Sequence, residues 1–314
     1  MLDDLLATLR VITLPTRTNF RGVTYREVAL MQGPHGWGEF SPFLEYDDNE
    51  CRPWLASAIE AATVARPARF RDEIAINGTI PELNDKKEIE ALMRTYVGAK
   101  TFKVKVGRNL NEDVIRVARV FSNAPKAAIR VDVNGLWSVD EALTNLYAYY
   151  EEIGPLEYVE QPCATVEELR ELKAKINIPL RIAADELIRK AADPFAVDLA
   201  GAADVLMLKV QPLGGIQRSL KIAAHHGLPV VVSSALESAI GIEYGLDLAA
   251  SIKDLTFDCG LATGSLLAND VGEHKIIDGK ITLGQISPQL DGLDVSAERY
   301  EWWKNRIMRV GALL

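Results

Sequence analysis

Residues 127–161 read AAIRVDVNGLWSVDEALTNLYAYYEEIGPLEYVEQ and contain one full period of an alternation that recurs along the chain. Short apolar runs open and close the segment, and an amphipathic stretch from Val139 to Glu152 lies between them. Apolar runs of this length are typical of strands buried on both faces, and the middle stretch is typical of a helix. The segment therefore predicts a strand, a helix and a second, parallel strand.

Eight such runs follow one another between residues 73 and 260, with helix-like stretches between them. Polar residues end most of the runs, which favours a closed barrel over an open doubly wound sheet, where a ligand sits at one switch point. We expect an α/β fold with a modified TIM-type (β/α)7β barrel. The predicted strands are 73–77, 101–106, 127–133, 156–161, 180–185, 204–210, 228–234 and 255–260.

The two ends of the chain have a different pattern. A hairpin followed by an alanine-rich helix predicts an N-terminal α+β capping domain over residues 1–72, with 73–270 forming the catalytic barrel. Beyond that point the alternation stops. We expect residues 271–314, a hairpin and a helix, to return to the cap.

Composition and charge limit the classes of function. The 314 residues carry a net charge of −9 with both signs mixed along the chain, which argues against a nucleic-acid-binding face. Three widely spaced cysteines predict free thiols in a reducing cytoplasm. The N-terminus lacks a signal-peptide pattern, and no apolar run approaches a membrane span. We expect a cytoplasmic protein with no nucleic acid, no membrane and no obligate protein partner.

Three acids end three successive predicted strands. Asp132, Glu160 and Asp185 lie 28 and 25 residues apart, about one strand–helix repeat, so the fold would bring their carboxylates together. Neighbouring carboxylates repel one another unless a cation lies among them. Because all three offer oxygen, we expect Mg²⁺, with Mn²⁺ also suitable. The alternative is that each acid caps a helix or forms a salt bridge.

Lysines flank these acids in the predicted barrel. Lys103 and Lys105 share one face of the second strand, and Lys209 ends the sixth, on the opposite side of an eight-stranded ring. One interpretation is that the lysines only neutralise the acids. The other is that Lys105 is a general base whose pKa is lowered by Lys103 and the metal. A metal holding a substrate carboxylate makes its α-proton more acidic, so we expect a small-molecule carboxylate as substrate.

The ordered set K-x-K, Asp, Glu, Asp, Lys on strands two to six resembles the muconate-lactonizing subgroup of the enolase superfamily. The resemblance covers nearly the whole chain. It implies that Lys103, Lys105 and Lys209 occupy the family's lysine positions and that the three acids are its metal ligands. The segments SSALESAIG (233–241) and GLATGSLLANDV (260–271) resemble the o-succinylbenzoate synthase family, in its short actinobacterial form.

This resemblance implies a reaction, the syn dehydration of 2-succinyl-6-hydroxy-2,4-cyclohexadiene-1-carboxylate to o-succinylbenzoate, an intermediate of menaquinone synthesis. Lys105 would take the proton α to the carboxylate and return it to the departing hydroxyl. Lys209 would stabilise the enediolate from the opposite face.

Further positions are candidates for supporting roles. For several of them the alternative is a purely local role: Arg130 pairs with an acid, Asn134 and Glu186 form strand-end hydrogen bonds, and Arg17 and Arg21 lie in a solvated loop. The candidate supporting residues are Asn134 and Glu186, and the candidate substrate-binding residues are Arg130, Ser233, Ser234, Arg17 and Arg21.

Two other functions remain open from the sequence. An N-acylamino acid racemase or dipeptide epimerase would use Lys105 and Lys209 as a two-base pair, and Asp258 is a possible ligand for a dipeptide's amine. A non-catalytic binding protein derived from the barrel is the other alternative. It gives no reason to keep both lysines and all three acids.

Overall fold

The N-terminal part of the protein is a small antiparallel sheet backed by a helix. A computed structural model describes residues 2–20 and 22–314. The three strands of the N-terminal sheet pair in the order β1-β2-β3, and the second helix packs against β3. A side chain at Gly38 would collide with the Ala58 carbonyl, so this close approach requires glycine. The elements are α1 (Leu2–Leu6), β1 (Arg10–Phe20), β2 (Val23–Gly33), β3 (Gly36–Phe40) and α2 (Asp48–Thr63).

A parallel sheet of seven strands forms the barrel and confirms the predicted α/β barrel fold. Its order, β11-β10-β9-β8-β7-β6-β5, follows the chain step by step. The strands here are β4 (Glu73–Ala75), β5 (Gly78–Ile80), β6 (Thr101–Lys105), β7 (Ala128–Asp132), β8 (Tyr158–Glu160), β9 (Ile182–Ala184), β10 (Val205–Lys209) and β11 (Val230–Ser233). The helices are α3 (Lys86–Thr95), α4 (Leu110–Asn123), α5 (Val139–Ile153), α6 (Val166–Lys175), α7 (Glu186–Arg189), α8 (Ile216–His226) and α9 (Ala239–Ala250).

Single bridges, rather than an eighth full strand, close the ring. Cys259 pairs with Ile76, and Gly260 pairs with Ser233 at the end of β11. The predicted strand 255–260 is therefore reduced to two residues. The predicted strand 73–77 is wrong in its bounds: 73–75 form β4, which pairs outside the barrel, and the barrel strand is β5. The apolar pattern alone could not separate two short strands that follow one another.

Capping residues start two helices directly after the site-bearing strands. Ser138 and Glu141 form a capping box at α5, and Thr165 and Glu168 form another at α6. Each satisfies backbone N–H groups that would otherwise lack partners. The chain therefore turns back soon after β7 and β8, and the strand ends carry short loops.

The C-terminal segment contains a hairpin and a long final helix. β12 (Ile276–Ile277) and β13 (Lys280–Thr282) form the predicted hairpin. β13 also pairs with β4 in the antiparallel direction. The last helix, α10 (Ala297–Gly311), packs on α2. Its buried Trp303 donates to Glu27 Oε2 at 2.8 Å and meets the Phe40 ring edge-on at 5.8 Å. Among the described helices, none has the length and apolar content to cross a bilayer.

Trp303 gives a direct test of this packing. Trp303→Ala removes a fully buried ring and leaves Glu27 short of a donor, so we expect a loss of about 3–5 kcal/mol in the free energy of unfolding. The neighbouring Trp302 is 36% exposed, and its ring contacts Arg299 and the edge of Trp303. Because it buries less surface, Trp302→Ala is the matched control, with a loss of about 1 kcal/mol. Urea denaturation of both variants measures the difference; equal losses would contradict this packing.

Candidate active site

Strand register places the predicted site residues next to one another. Lys105 on β6 pairs with Asp132 on β7, and Asp132 pairs with Glu160 on β8. Asp185 directly follows β9, and Lys209 is the last residue of β10. Five consecutive strands thus present a lysine, three acids and a lysine in order at their carboxyl ends, the edge at which barrel enzymes carry their active sites.

Ion pairs join the lysines to the acids inside the barrel. Lys105 Nζ lies 2.5 Å from Asp132 Oδ2, and Lys209 Nζ lies 2.5 Å from Asp185 Oδ2. Lys103 Nζ contacts Glu160 Oε2 at 2.7 Å and Asp132 Oδ2 at 3.4 Å. Each of the three lysines is buried, as are the carboxylates. The structure therefore brings all six residues into one cluster.

The electrostatic balance differs from one group to the next. Burial lowers the pKa of Lys105, and Lys103 adds to this against the opposing effect of Asp132. Burial has the same effect on Lys103, but Glu160 and Asp132 outweigh it and raise the Lys103 pKa. A lysine with a lowered pKa is neutral, and so able to accept a proton, in a larger fraction of molecules at working pH, which favours Lys105 over Lys103 as a base.

The pKa values of the acids shift in opposite directions. Burial disfavours the charged form of Asp132, but Lys105 and Lys103 outweigh it and lower the Asp132 pKa. For Glu160, burial and the neighbouring Asp132 raise the pKa to about 7. Glu160 lies between two other acids, and the lysines do not fully compensate its charge. This is the strain that a bound cation removes.

The donor set fits a hard divalent cation. Glu160 Oε1 and Asp185 Oδ1 are buried without a hydrogen-bond partner, and buried carboxylate oxygens rarely remain so. Oxygen ligands of this kind suit Mg²⁺ or Mn²⁺. As placed in the described parts of the chain, no three His, Cys, Asp or Glu side chains already surround one point, and each acid faces an ammonium group instead.

Asn134 and Glu186 connect to the same cluster. Asn134 follows β7 in a left-handed conformation, which asparagine tolerates. Its Oδ1 accepts from Lys105 Nζ at 3.0 Å, and its Nδ2 donates to Glu186 Oε1 at 3.0 Å. Sequence reasoning missed Gln161, whose Oε1 accepts from the Asp185 backbone N–H at 3.0 Å. Its place directly after Glu160 was the available signal.

Aromatic side chains from the cap cover the site. Phe20 lies over Lys105 with its ring centre 5.7 Å from Nζ. Phe43, Tyr46 and Trp54 line the same pocket. Sequence reasoning did not find this wall, because the approach of the cap to the barrel is a tertiary contact without a local pattern. The wall gives the pocket an apolar side opposite its charged floor.

Ser233 and Ser234 also line the pocket, at the end of β11. The Ser234 hydroxyl donates to the Gly260 carbonyl at 2.6 Å and lies 2.9 Å from the Thr263 hydroxyl. Ser233 is paired in register with Lys209. The serines therefore border the Lys209 side of the site.

Two of the predicted arginines, Arg17 and Arg130, have other surroundings. Arg130 is held by Glu157 at 2.5 Å and by the Asp258 carbonyl at 2.7 Å, so the structure supports its pairing with an acid over contact with substrate. Arg17 is exposed and lines a different cleft. It points there because alternate residues of β1 face opposite sides. Arg21 lies outside the described residues.

A buried acidic network ties the cap to the barrel beside the site. Glu39 on β3 accepts from the Ser238 hydroxyl at 2.5 Å and from the Gly241 N–H at 2.9 Å, at the start of α9. It also accepts from Gln211 Nε2 at 3.2 Å, two residues beyond Lys209. Burial and this neighbouring Glu39 raise the pKa of Glu237 to about 7.

The Glu237 shift predicts a pH-dependent effect on stability. Because the folded-state pKa of about 7 lies above the ordinary range for glutamate, ionisation of Glu237 in the folded protein costs stability, and this cost builds up as the pH rises from that ordinary range to about 7. Glu237→Gln removes that cost. We expect the melting temperature of Glu237→Gln, relative to the parent protein, to be higher at pH 8 than at pH 5. Exposed Glu301→Gln is the control, and a pH-independent difference for Glu237→Gln would contradict the assignment.

Comparisons of sequence identify relatives over the full length. A family model described as Enolase C-terminal domain-like matches residues 86–295, and one described as Enolase N-terminal domain-like matches residues 11–62. The o-succinylbenzoate synthase of Mycolicibacterium smegmatis is 48% identical over all of this chain and 98% of its own length. That of Mycobacterium ulcerans is 50% identical over all of this chain and 96% of its own length.

Solved structures share the fold at low sequence identity. Muconate cycloisomerase from Pseudomonas fluorescens has a TM-score of 0.71 at 21% identity, covering 94% of this chain and 96% of its own. The L-Ala-D/L-Glu epimerase of Bacillus subtilis has a TM-score of 0.74 at 22% identity, covering 88% and 95%. At this identity the solved structures show a shared fold, whereas the full-length sequence relatives show the family. The chain belongs to the enolase superfamily and, within it, to the o-succinylbenzoate synthase family.

Proposed function

We propose that this protein is an o-succinylbenzoate synthase that dehydrates 2-succinyl-6-hydroxy-2,4-cyclohexadiene-1-carboxylate in menaquinone synthesis in the cytoplasm. Full-length relatives of that name at 48% and 50% identity support the activity. The observation that carries the chemistry is the row of Lys105, three carboxylates and Lys209 across five adjacent strands. We also propose the division into a cap, residues 1–72, a barrel, 73–270, and a returning segment, 271–314.

Lys105 is the base and then the acid of this reaction. It takes the proton from the ring carbon that bears the carboxylate. The electron pair left behind forms the new double bond as the hydroxyl on the adjacent carbon departs. Both groups leave from one face, so the same ammonium can protonate the hydroxyl, which departs as water. The lowered pKa of Lys105 suits a group that must first accept a proton.

Lys209 acts as a fixed positive charge on the other side. Its ammonium is buried and paired with Asp185 at 2.5 Å, so it is oriented before substrate arrives. A pre-oriented cation in a site shielded from water stabilises negative charge more strongly than water does. Aromatisation of the ring makes the elimination favourable, so Lys209 does not need to exchange a proton.

We propose Mg²⁺ as the metal, held by Asp132, Glu160 and Asp185, with Mn²⁺ able to replace it. When bound, it supplies positive charge that stabilises the charge developing on the substrate carboxylate. Lys103 stays charged beside Glu160, and Asn134 accepts a hydrogen bond from Lys105 and so orients it. The aromatic wall of the cap keeps water from the proton-transfer site.

The second candidate is racemisation of N-acylamino acids, favoured by the near-symmetrical placing of Lys105 and Lys209 against their acids. Dipeptide epimerisation is less compatible with the geometry. The Asp258 carboxylate accepts from the Thr101 hydroxyl at 2.7 Å, at the start of β6, whereas Lys105 is at its end. Asp258 is therefore at the wrong end of the barrel to bind a substrate amine.

Substitutions at the two lysines test the unequal roles. Lys105→Ala and Lys209→Ala should each lower kcat by roughly 10²- to 10⁴-fold with the fold intact, as loss of a proton-transfer group or a fixed charge does. Lys209→Arg keeps a positive charge and should retain more activity than Lys105→Arg, because arginine does not act as a base. Formation of o-succinylbenzoate, followed by ultraviolet absorbance with and without Mg²⁺, is the measurement.

The same protein is then offered N-acylamino acids in D₂O. Dehydration without deuterium entry at the amino-acid α-carbon supports the synthase assignment. Racemisation in the absence of dehydration would overturn it. Normal dehydration by both Lys105→Ala and Lys209→Ala would contradict the roles given to the lysines, while leaving the synthase assignment itself in place.

A further inference from the structure

Arg189 is a buried cation in the active site that the mechanism above does not use. It ends the short helix α7, its side chain is 5% exposed, and it lines the pocket with Lys105 and Lys209. A guanidinium is rarely placed in such a position without several partners. The partners of Arg189 are two acids and a tyrosine of the cap.

Two acids share this guanidinium. Arg189 Nη2 donates to Glu186 Oε1 at 2.6 Å, and Nε donates to Asp185 Oδ2 at 3.2 Å. The spacing explains the contact, because residues three and four positions before Arg189 lie on the same side of a helical turn. Nη1 lies 3.4 Å from the Tyr46 hydroxyl, so the same group also meets the cap.

Arg189 also completes a chain of hydrogen bonds between the two catalytic lysines. Lys105 donates to Asn134, which donates to Glu186 Oε1. Arg189 donates to that same oxygen and to Asp185, whose Oδ2 accepts from Lys209. One oxygen of each acid is thereby fixed. Asp185 Oδ1 also lies 3.2 Å from Arg189 Nε as an ion-pair contact, but neither it nor Glu186 Oε2 has a hydrogen-bond partner, and both oxygens are buried.

We propose that Arg189 is a positioning residue: its planar guanidinium holds Asp185 and Glu186 so that Asp185 is oriented to bind the metal. This inference rests on the proposed metal ligands. Hydrogen-bond partners of ligating carboxylates typically contribute about 10- to 100-fold to metal affinity or activity. The rigid fork of arginine can hold two carboxylates at once, and lysine cannot reproduce it.

A simple charge effect would act in the opposite direction. A positive group next to a metal site repels the cation, so removing it would strengthen metal binding if charge alone mattered. Orientation and charge can therefore be separated by comparing Arg189→Ala, which removes both, with Arg189→Lys, which keeps only the charge.

The experiment measures Mn²⁺ binding by electron paramagnetic resonance of the free ion, together with thermal melting of each variant. We expect Arg189→Ala to weaken binding about 10- to 100-fold, and Arg189→Lys to weaken it as well. Millimolar guanidinium should restore part of the Mn²⁺ affinity of Arg189→Ala and leave the parent protein unchanged. A residue that only stabilised the fold would not give this rescue.

Arg71→Ala is the matched control. Arg71 is half-buried and binds the carbonyls of Ile252 and Lys253, away from the site, so its loss should leave Mn²⁺ affinity unchanged. Mn²⁺ binding by Arg189→Ala at or above parental affinity, or parental affinity in Arg189→Lys, would overturn the proposal. Where Arg189→Ala does not fold, Arg189→Lys decides. Arginine-dependent Mn²⁺ binding without dehydration would instead reject the proposed reaction and keep the role of Arg189.

Discussion

Three carboxylates held side by side at the ends of β7, β8 and the turn after β9 impose the main constraint on this molecule. Like charges in a buried place repel one another, and the raised pKa of Glu160 records that conflict. The surrounding cations Lys103, Lys105, Lys209 and Arg189 each contact one or two acids and reduce the repulsion. These ion pairs orient the groups, and a metal ion would complete the charge balance.

The barrel and the cap have separate parts in meeting this constraint. Parallel register fixes the order of the charged side chains, because each successive strand carries the next residue to the same edge. The cap supplies the apolar wall and, through Glu39, a buried carboxylate bonded to the start of α9. A site closed in this way has a low local dielectric, in which fixed charges act more strongly than in water.

Periodicity predicted the fold class and the clustered acids and lysines because these depend on a local repeat. Strand length and the end of each apolar run place Asp132, Glu160 and Lys209 without tertiary information. Features that depend on how separate segments meet were missed or wrong. The bounds of β4 and β5 and the aromatic cover of Phe20 follow from contacts distant along the chain. Arg189 closes the segment DELIR (185–189), which the sequence shows directly. Its role, however, is indicated only by its contacts with Asp185 and Glu186.

The central claim is that the three acids form one metal site between two lysines. Anomalous diffraction from crystals of the protein equilibrated with Mn²⁺ tests it most directly. The account predicts a strong anomalous peak from one manganese ion within coordination distance of side-chain oxygens of Asp132, Glu160 and Asp185, with Lys105 and Lys209 on either side. A manganese peak elsewhere, or no peak at these acids in saturating Mn²⁺, would contradict it.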